Sequence, residues 1–253
     1  MTKHVLLLLL SAGSLLAQPG NNLELFLLAG QSNMAGRGVV EDQDKQPVSG
    51  IWMLGKDLQW KPAVDPMHFD KPAIIGAGIG RTFARTLQRL SPGAQIGLIP
   101  AAFGGTSLDE WAPGGKLFTD AVARTKAAMK QGKLRGILWH QGEADSSGLE
   151  KANSYAERWM VFLEALRKEV GDVPMVVGQL GEFFGKKGDS FADVVNDQLA
   201  SLPRKASRVA FVSSEGLKHK GDDVHFDSPS LREFGRRYAH AYLMLDAKWG
   251  ESK

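Results

Sequence analysis

An apolar run that ends at a glycine, residues 23–30, limits the possible folds of this chain more than any other stretch. Its residues are apolar apart from Glu24 and Gly30, which is typical of a strand buried on both faces of a parallel sheet. Three polar residues, with Ser32 at their centre, follow directly. Ligands bind at the carboxyl ends of such strands, so we expect Ser32 at the mouth of a site, although turns also use serine routinely.

The rest of the chain alternates similar runs with helical patterns. This alternation predicts an α/β protein, a single three-layer α/β/α domain with a five-stranded parallel sheet of the flavodoxin-like type. The four further strands are expected at 96–101, 136–139, 174–180 and 208–212, and the helices near 76–90, 117–129, 149–170 and 191–200 and after Ser230.

A proline-rich segment, residues 40–71, interrupts this alternation and has little periodicity. One or two short strands, such as 50–54, are expected within it. A long irregular segment next to a site is more often a binding wall than a linker. Its glycines and Lys56 have the spacing of a phosphate-binding loop, but Asp57 stands where Ser or Thr would bind magnesium, so we expect no nucleotide site.

The amino-terminal 17 residues have the pattern of a secretory signal peptide. Lys3 and His4 precede an apolar core, and Ala17 is a plausible residue before the cleavage point. The core is shorter than the roughly 20 residues that span a bilayer. We therefore expect a secreted or periplasmic mature protein, residues 18–253, with no membrane span.

Composition and charge exclude several classes of partner. The net charge is only +3 and no basic stripe occurs, so a nucleic-acid partner is not expected. The chain has no cysteine and no H-E-x-x-H motif. A cluster of His219, Asp222, Asp223 and His225 is the one arrangement that suggests a metal, but an Asp and His dyad explains it as well, so we expect neither metal nor cofactor.

Three predicted strand ends bring chemically useful residues to one edge of the sheet. They carry Ser32, the turn 103–107 and the polar string 140–145. A serine becomes nucleophilic when an imidazole accepts its proton and an acid orients that imidazole. His225 is the best placed histidine, because Asp222 precedes it by three residues in the loop after the last strand. Such a pair is common on protein surfaces and indicates little alone.

Four ordered blocks resemble those of the SGNH hydrolase superfamily. Within it they are most similar to the sialate O-acetylesterase-like branch, which includes the acetylxylan esterases of carbohydrate esterase family six. Gln141 stands where the wider superfamily has asparagine, and this glutamine is typical of the branch. No G-x-S-x-G elbow occurs. The blocks are Gly30 to Met34, Gly104 to Ser107, His140 to Glu143, and Asp222 to His225.

The resemblance implies a serine esterase that removes O-acetyl groups from carbohydrate. Ser32 would be the nucleophile and His225 the general base. Either Asp222, by its spacing, or Glu143, in the third block, would orient the histidine. The backbone amides of Ser32 and Gly105 and the side-chain amide of Gln141 would bind the oxyanion.

The substrate and the alternatives stay open at this point. Acetylated xylan, or another acetylated polysaccharide, and O-acetylated sialic acid both fit the branch. A non-catalytic carbohydrate-binding protein would not need serine, histidine and acid together, and a lipase or thioesterase would need an apolar groove. Arg37 could meet an acidic substrate, although exposed arginines are common. Aromatic side chains could stack on sugar rings or could equally belong to the core, the candidates being Trp52, Trp60 and Trp111.

Overall fold

A seven-stranded sheet forms the centre of the computed structural model, which describes residues 19–186, 188 and 190–246. Its strand order is β3-β2-β4-β1-β5-β6-β7, and all neighbours are parallel except the antiparallel pair β2 and β3. The strands are β1 (Leu23–Gly30), β2 (Ile51–Leu54), β3 (Trp60–Pro62), β4 (Ile96–Pro100), β5 (Gly132–His140), β6 (Met175–Gly178) and β7 (Val209–Val212).

The predicted α/β class and parallel sheet are confirmed, with two strands more than the five expected. β2 matches the short strand anticipated at 50–54, and β3 pairs with it through a turn at Leu58 with φ 60°. The predicted signal peptide, residues 1–17, lies outside the described residues, and the assignment of 18–253 to one domain stays a prediction.

Helices pack on both faces of the sheet, and the described residues contain eight α-helices. Successive side chains of β1 point to opposite faces, so Leu25 and Leu27 enter one apolar core while Phe26 and Leu28 enter the other. Helices α4, α6 and α7 close the first core, and α3 and α8 close the second. The helices are α1 (Ser32–Ala35), α2 (Asp42–Lys45), α3 (Gly80–Leu90), α4 (Lys116–Ala128), α5 (Leu149–Asn153), α6 (Tyr155–Val170), α7 (Ala192–Lys205) and α8 (Ser228–Leu245).

Two predicted helices differ from the observed ones. The helix expected at 149–170 is divided at Ser154 into α5 and α6. The helix expected from residue 76 begins only at Gly80, because the preceding backbone pairs elsewhere: the Gly76 N–H donates to the Gly36 carbonyl at 3.0 Å, and Ala77 forms a bridge with Gly38. This bridge fixes the chain just beyond α1.

The sharp turn from β1 into α1 depends on Gly30. Its φ is 126°, a backbone conformation that side chains other than glycine rarely adopt. A Cβ at this position would also collide with the carbonyl oxygen of His140 on the adjacent β5. The glycine therefore allows β1 to remain paired with β5 up to the residue before Gln31, so that Ser32 begins α1 at the carboxyl edge of the sheet.

Among the described residues, no helix has both the length and the apolar character needed to cross a membrane.

Candidate active site

Ser32 occupies the first position of α1, at the carboxyl end of the central strand β1. The residue is mostly buried, with 5% of its surface exposed. Its Oγ lies 3.0 Å from Nε2 of His225, a residue 193 positions away in the chain. This distance is within hydrogen-bond reach, so the imidazole can accept the hydroxyl proton directly.

Asp222 completes the contact chain on the other side of His225. Its Oδ2 lies 2.7 Å from His225 Nδ1, while Oδ1 accepts the backbone N–H groups of His225 at 2.8 Å and Val224 at 3.0 Å. Burial would raise the pKa of the Asp222 carboxyl, but these hydrogen bonds hold it well below its usual range. An ionised Asp222 keeps the proton of His225 on Nδ1, which leaves Nε2 as the acceptor facing Ser32.

A short hairpin presents His225 to Ser32. His219 and Phe226 form an antiparallel bridge, and the Lys220 N–H donates to the His225 carbonyl at 2.9 Å. Asp223 adopts φ 57° at the tip. His219 Nδ1 accepts the N–H groups of Gly221 and Asp223, so this nitrogen is used in hydrogen bonds within the loop. No group of three or more potential metal ligands occurs among the described residues.

Asn33, the residue after the serine, holds the backbone on both sides of His225. Its Nδ2 donates to the Val224 carbonyl at 3.2 Å, and its Oδ1 accepts the Phe226 N–H at 3.1 Å. The same Nδ2 lies 2.7 Å from Oε1 of Glu143. No role for Asn33 was predicted from the sequence, although it lies inside the first block of the resemblance.

Glu143 therefore does not orient His225, and of the two acids left open Asp222 is the one in contact with the imidazole. Glu143 is buried and orients Asn33 instead, with His140 Nε2 3.5 Å from the same oxygen. Burial would raise the pKa of Glu143, but His140 and Asn33 lower it below its usual range. Its hydrogen-bonded connection to the backbone beside His225 passes through Asn33.

The expectation that Gln141 donates to the oxyanion is not met by its geometry. The side chain is fully buried, and its Nε2 donates to the Thr106 carbonyl at 3.0 Å and to Asp145 Oδ2 at 2.6 Å. Its Oε1 lies 2.8 Å from the Tyr155 hydroxyl. Both N–H groups of the amide are thus engaged, and these partners also define which atom is nitrogen. Gln141 instead ties the turn at Thr106 to the third block.

Residues 101–105 follow β4, and the backbone N–H groups of the first four each donate a hydrogen bond. The N–H of Gly105 donates to no group among the described residues, and the same holds for the N–H of Ser32. Both N–H groups are therefore available as donors, and their role in binding an oxyanion stays a prediction. The preceding amides donate to Leu28 O (from Ala101, 2.9 Å), His68 Nδ1 (from Ala102, 3.2 Å), Gly30 O (from Phe103, 2.9 Å) and Asp70 Oδ2 (from Gly104, 2.8 Å).

The side chains expected to touch a sugar lie in the interior. Trp52, Trp60 and Trp111 are 9%, 4% and 0% exposed and belong to the core, so they cannot stack on a sugar ring. Arg37 is also buried and pairs with Asp70 at 2.5 Å, so it is not available to an acidic substrate. Residue type alone does not determine burial, so the sequence left open whether each of these side chains lies at the surface or in the core.

This chain matches a family model and is similar to several known proteins. Residues 22–244 match the family model described as carbohydrate esterase, sialic acid-specific acetylesterase. A probable carbohydrate esterase of Arabidopsis thaliana is 34% identical over 239 residues, which cover 87% of this chain and 90% of that protein. An X-ray structure of an Arabidopsis thaliana protein has a TM-score of 0.81 at 32% identity, with 89% of this chain and 99% of that chain covered.

A more distant structure shares the fold. A carbohydrate acetylesterase from Xanthomonas citri is 19% identical and has a TM-score of 0.66, with 88% of this chain and 56% of that chain covered.

Proposed function

Since the chain belongs to the family of carbohydrate esterases described as sialic acid-specific acetylesterases, we propose that it hydrolyses O-acetyl esters on carbohydrate through an acetyl-enzyme formed on Ser32. Family membership confirms the resemblance of the four sequence blocks and identifies the chain as a carboxylic ester hydrolase. The observation that carries the proposed mechanism is the contact chain from Asp222 through His225 to Ser32, with distances of 2.7 and 3.0 Å.

The arrangement supports acyl transfer in two steps. His225 Nε2 accepts the proton of Ser32 Oγ as the oxygen attacks the acetyl carbonyl, and the N–H groups of Ser32 and Gly105 stabilise the negative oxygen that forms. The tetrahedral intermediate expels the sugar oxygen, which takes the proton from His225. A water molecule then gives a proton to His225 as its oxygen attacks the acetyl-serine. The second tetrahedral intermediate expels Ser32 Oγ, which takes this proton back from His225, and the acetic acid released ionises to acetate in solution.

Two other classes are less well supported. A non-catalytic carbohydrate-binding protein would not require the serine, histidine and acid at hydrogen-bond distances from one another. A lipase or thioesterase would need an apolar groove beside the serine, whereas the segments around Ser32 are polar and rich in glycine. Acetylated xylan or another acetylated polysaccharide and O-acetylated sialic acid are both consistent with the family match, so both are retained as candidate substrates.

The test is the release of acetate from three substrates: acetylated xylan, O-acetylated sialic acid and a small aryl acetate. The Ser32→Ala variant is the control for each, with thermal unfolding to show that it is folded. We expect Ser32-dependent release from the aryl acetate and from at least one of the carbohydrates. An absence of Ser32-dependent release from all three would refute the esterase function.

Phe103 is the aromatic residue we propose for contact with the sugar. It is 40% exposed and directly precedes Gly104 and Gly105, whose turn carries the second oxyanion donor. An aromatic face at this position can pack against the apolar face of a sugar ring. Phe103→Ala should raise KM for the acetylated carbohydrate about tenfold and leave KM for the small aryl acetate nearly unchanged. Equal changes for both substrates would contradict this role.

We also propose that the protein is exported, on the basis of the pattern of residues 1–17. Amino-terminal sequencing of protein recovered from the periplasm or medium of an expressing cell should show cleavage near Ala17. Recovery only in the cytoplasm with an intact amino terminus would refute export.

A further inference from the structure

A buried ion pair stands between the turn that carries Ser32 and the turn that carries Gly105. Arg37 Nη2 lies 2.5 Å from Asp70 Oδ2, and the two side chains are 2% and 0% exposed. Asp70 lies in the proline-rich segment, and no role for it was predicted from the sequence. Among the described residues, neither side chain forms a hydrogen bond with Ser32 or His225.

Each member of the pair is bonded to one of the two turns. On the nucleophile side, Arg37 Nη1 donates to the Gly36 carbonyl at 2.8 Å, and the Gly36 N–H donates to the Ser32 carbonyl at 2.9 Å. On the other side, Asp70 Oδ2 accepts the Gly104 N–H at 2.8 Å. The pair is therefore a continuous link between the residue of the first oxyanion donor and the residue before the second.

We propose that Arg37 and Asp70 are positioning residues that set the separation of the Ser32 and Gly105 N–H groups. The inference rests on the proposed function, in which these two amides stabilise the oxyanion. Such donors must be held at the position of the developing charge before the reaction, because small displacements weaken the stabilisation.

The small expected contribution of the pair to the free energy of unfolding agrees with a positioning role rather than a stabilising one. Burial would raise the pKa of Asp70, but the hydrogen bonds from Arg37 and from the Gly104 N–H lower it below its usual range, so the carboxylate is charged. A fully buried ion pair adds little net stability compared with apolar side chains, because both charges lose their hydration. What the pair does supply is a defined distance between two backbone segments.

Gly104 provides a second, independent observation. Its φ is not in the left-handed region, so its backbone conformation alone does not require glycine. A Cβ at this position would, however, collide with Arg37 Nη2 and contact Asp70 Oδ2 at 2.8 Å. The ion pair therefore packs directly against the backbone of the oxyanion turn, and a methyl group at residue 104 would push the two apart.

The test compares Asp70→Ala with Asp44→Ala, a matched control. Asp44 also forms a buried ion pair, at 2.7 Å from Arg232 with side-chain exposures of 3% and 15%, but lies in α2 and bonds to neither oxyanion turn. For each variant we would measure kcat and KM on the aryl acetate, the inhibition constant of an arylboronic acid, which forms a tetrahedral adduct with the serine, and the thermal unfolding temperature.

We expect Asp70→Ala to lower kcat by about 10- to 100-fold, less than or similar to the loss of an oxyanion donor, with KM within about threefold of wild type. The boronate inhibition constant should rise by a similar factor. Asp70→Asn should recover most of the activity, since its amide oxygen can still accept the Gly104 N–H. Asp44→Ala should lose thermal stability without these kinetic changes.

Gly104→Ala provides the same test without removing a charge, in case Asp70→Ala fails to fold. Its matched control is Gly148→Ala, because a Cβ on Gly148 would meet no atom within 4 Å and the φ of this residue is not left-handed. Only Gly104→Ala should lower kcat and weaken boronate binding. The inference is overturned if Asp70→Ala and Gly104→Ala match their controls in both measurements. A wild-type protein without Ser32-dependent turnover would instead refute the proposed function, and this inference with it.

Discussion

Two acidic residues near His225 differ in what they contact, and this difference predicts unequal effects of mutation. Asp222→Asn removes the negative charge that stabilises the imidazolium and can reverse the tautomer, so kcat should fall by about 10³- to 10⁴-fold. Glu143→Gln keeps an oxygen that can accept from Asn33 Nδ2, so its kcat should fall by about tenfold. Steady-state kinetics on the aryl acetate measure both. A larger loss for Glu143→Gln would reverse the assignment.

Gln141 gives a second prediction for a single residue. Because its amide is bonded to Thr106, Asp145 and Tyr155, Gln141→Ala should leave buried polar groups unpaired and lower the free energy of unfolding by about 1 to 3 kcal/mol. The folded fraction should keep kcat within about tenfold of wild type. Chemical denaturation and active-site titration measure the two effects. A loss of more than 100-fold in kcat with unchanged stability would restore Gln141 as an oxyanion donor.

The site residues that could be predicted from the sequence are those that lie close together in the chain or within a recognisable block. Asp222 and His225 are three positions apart in one loop, and the first block contains Ser32, so spacing and block order brought them together before the fold was known. Arg37 and Asp70 are separated by 33 positions, and neither is part of a dyad with a recognisable spacing. Only the packed structure shows that they meet, and that Arg37 is consequently not a substrate-binding residue.

At the scale of elements, the amino terminus of α8 stabilises the end of the hairpin that carries His225. Asp227 is its N-cap, and its Oδ1 accepts the Ser230 N–H at 2.8 Å. Asp227→Ala should lower the free energy of unfolding by about 0.5 to 2 kcal/mol, and Asp227→Ser should recover most of this, because serine also caps helices well. Urea denaturation checks the series. Equal stabilities of the three proteins would contradict the capping role.

The elements that were predicted correctly are those with a strong local pattern. The five predicted apolar runs became strands of the sheet, and their apolar residues are buried except in the edge strand β7, where Ala210 and Phe211 are half-buried. β3 has only three residues, one of them Pro62, and is a strand only because it pairs with β2. The late start of α3 likewise depends on the backbone bonds of Gly76 and Ala77 to a segment nearly 40 positions earlier.

At the scale of the whole molecule, the parallel arrangement of β4, β1 and β5 explains why distant blocks meet at one site. Each of these strands ends at the same edge, and the segment that follows it supplies one part: the turn with Gly105, the proposed nucleophile Ser32, and Glu143. The proposed general base, His225, lies in the hairpin before α8, which Asn33 of α1 holds by two hydrogen bonds. The sheet could be predicted from the alternation of strand and helix patterns. The hydrogen bonds that hold the site segments together could not, because they join side chains to partners far away in the sequence.

The stability of the whole molecule should depend on pH through Asp65, which is 6% exposed. Burial, and then the charge of Asp44, raise the pKa of Asp65 to about 8, against the opposing effects of Arg81, the Gly78 N–H and Arg232. The unfolded chain has a value of about 3.9 for this carboxyl. Between about pH 3.9 and pH 8 the folded state therefore binds one proton more than the unfolded chain. The contribution of protonated Asp65 to the free energy of unfolding is complete below about pH 3.9 and is lost as the pH rises towards 8.

Asp65→Asn removes this dependence, because an amide remains neutral at every pH and can still accept the Gly78 N–H. The unfolding temperature of the variant minus that of wild type should become more positive between pH 4 and pH 8, by an amount that corresponds to a few kcal/mol. Asp42→Asn is the control, since the Asp42 side chain is 96% exposed. Thermal unfolding at one-unit pH intervals measures the difference. A constant difference across this range, or an equal slope for Asp42→Asn, would show that Asp65 is not a proton-binding group of the folded state.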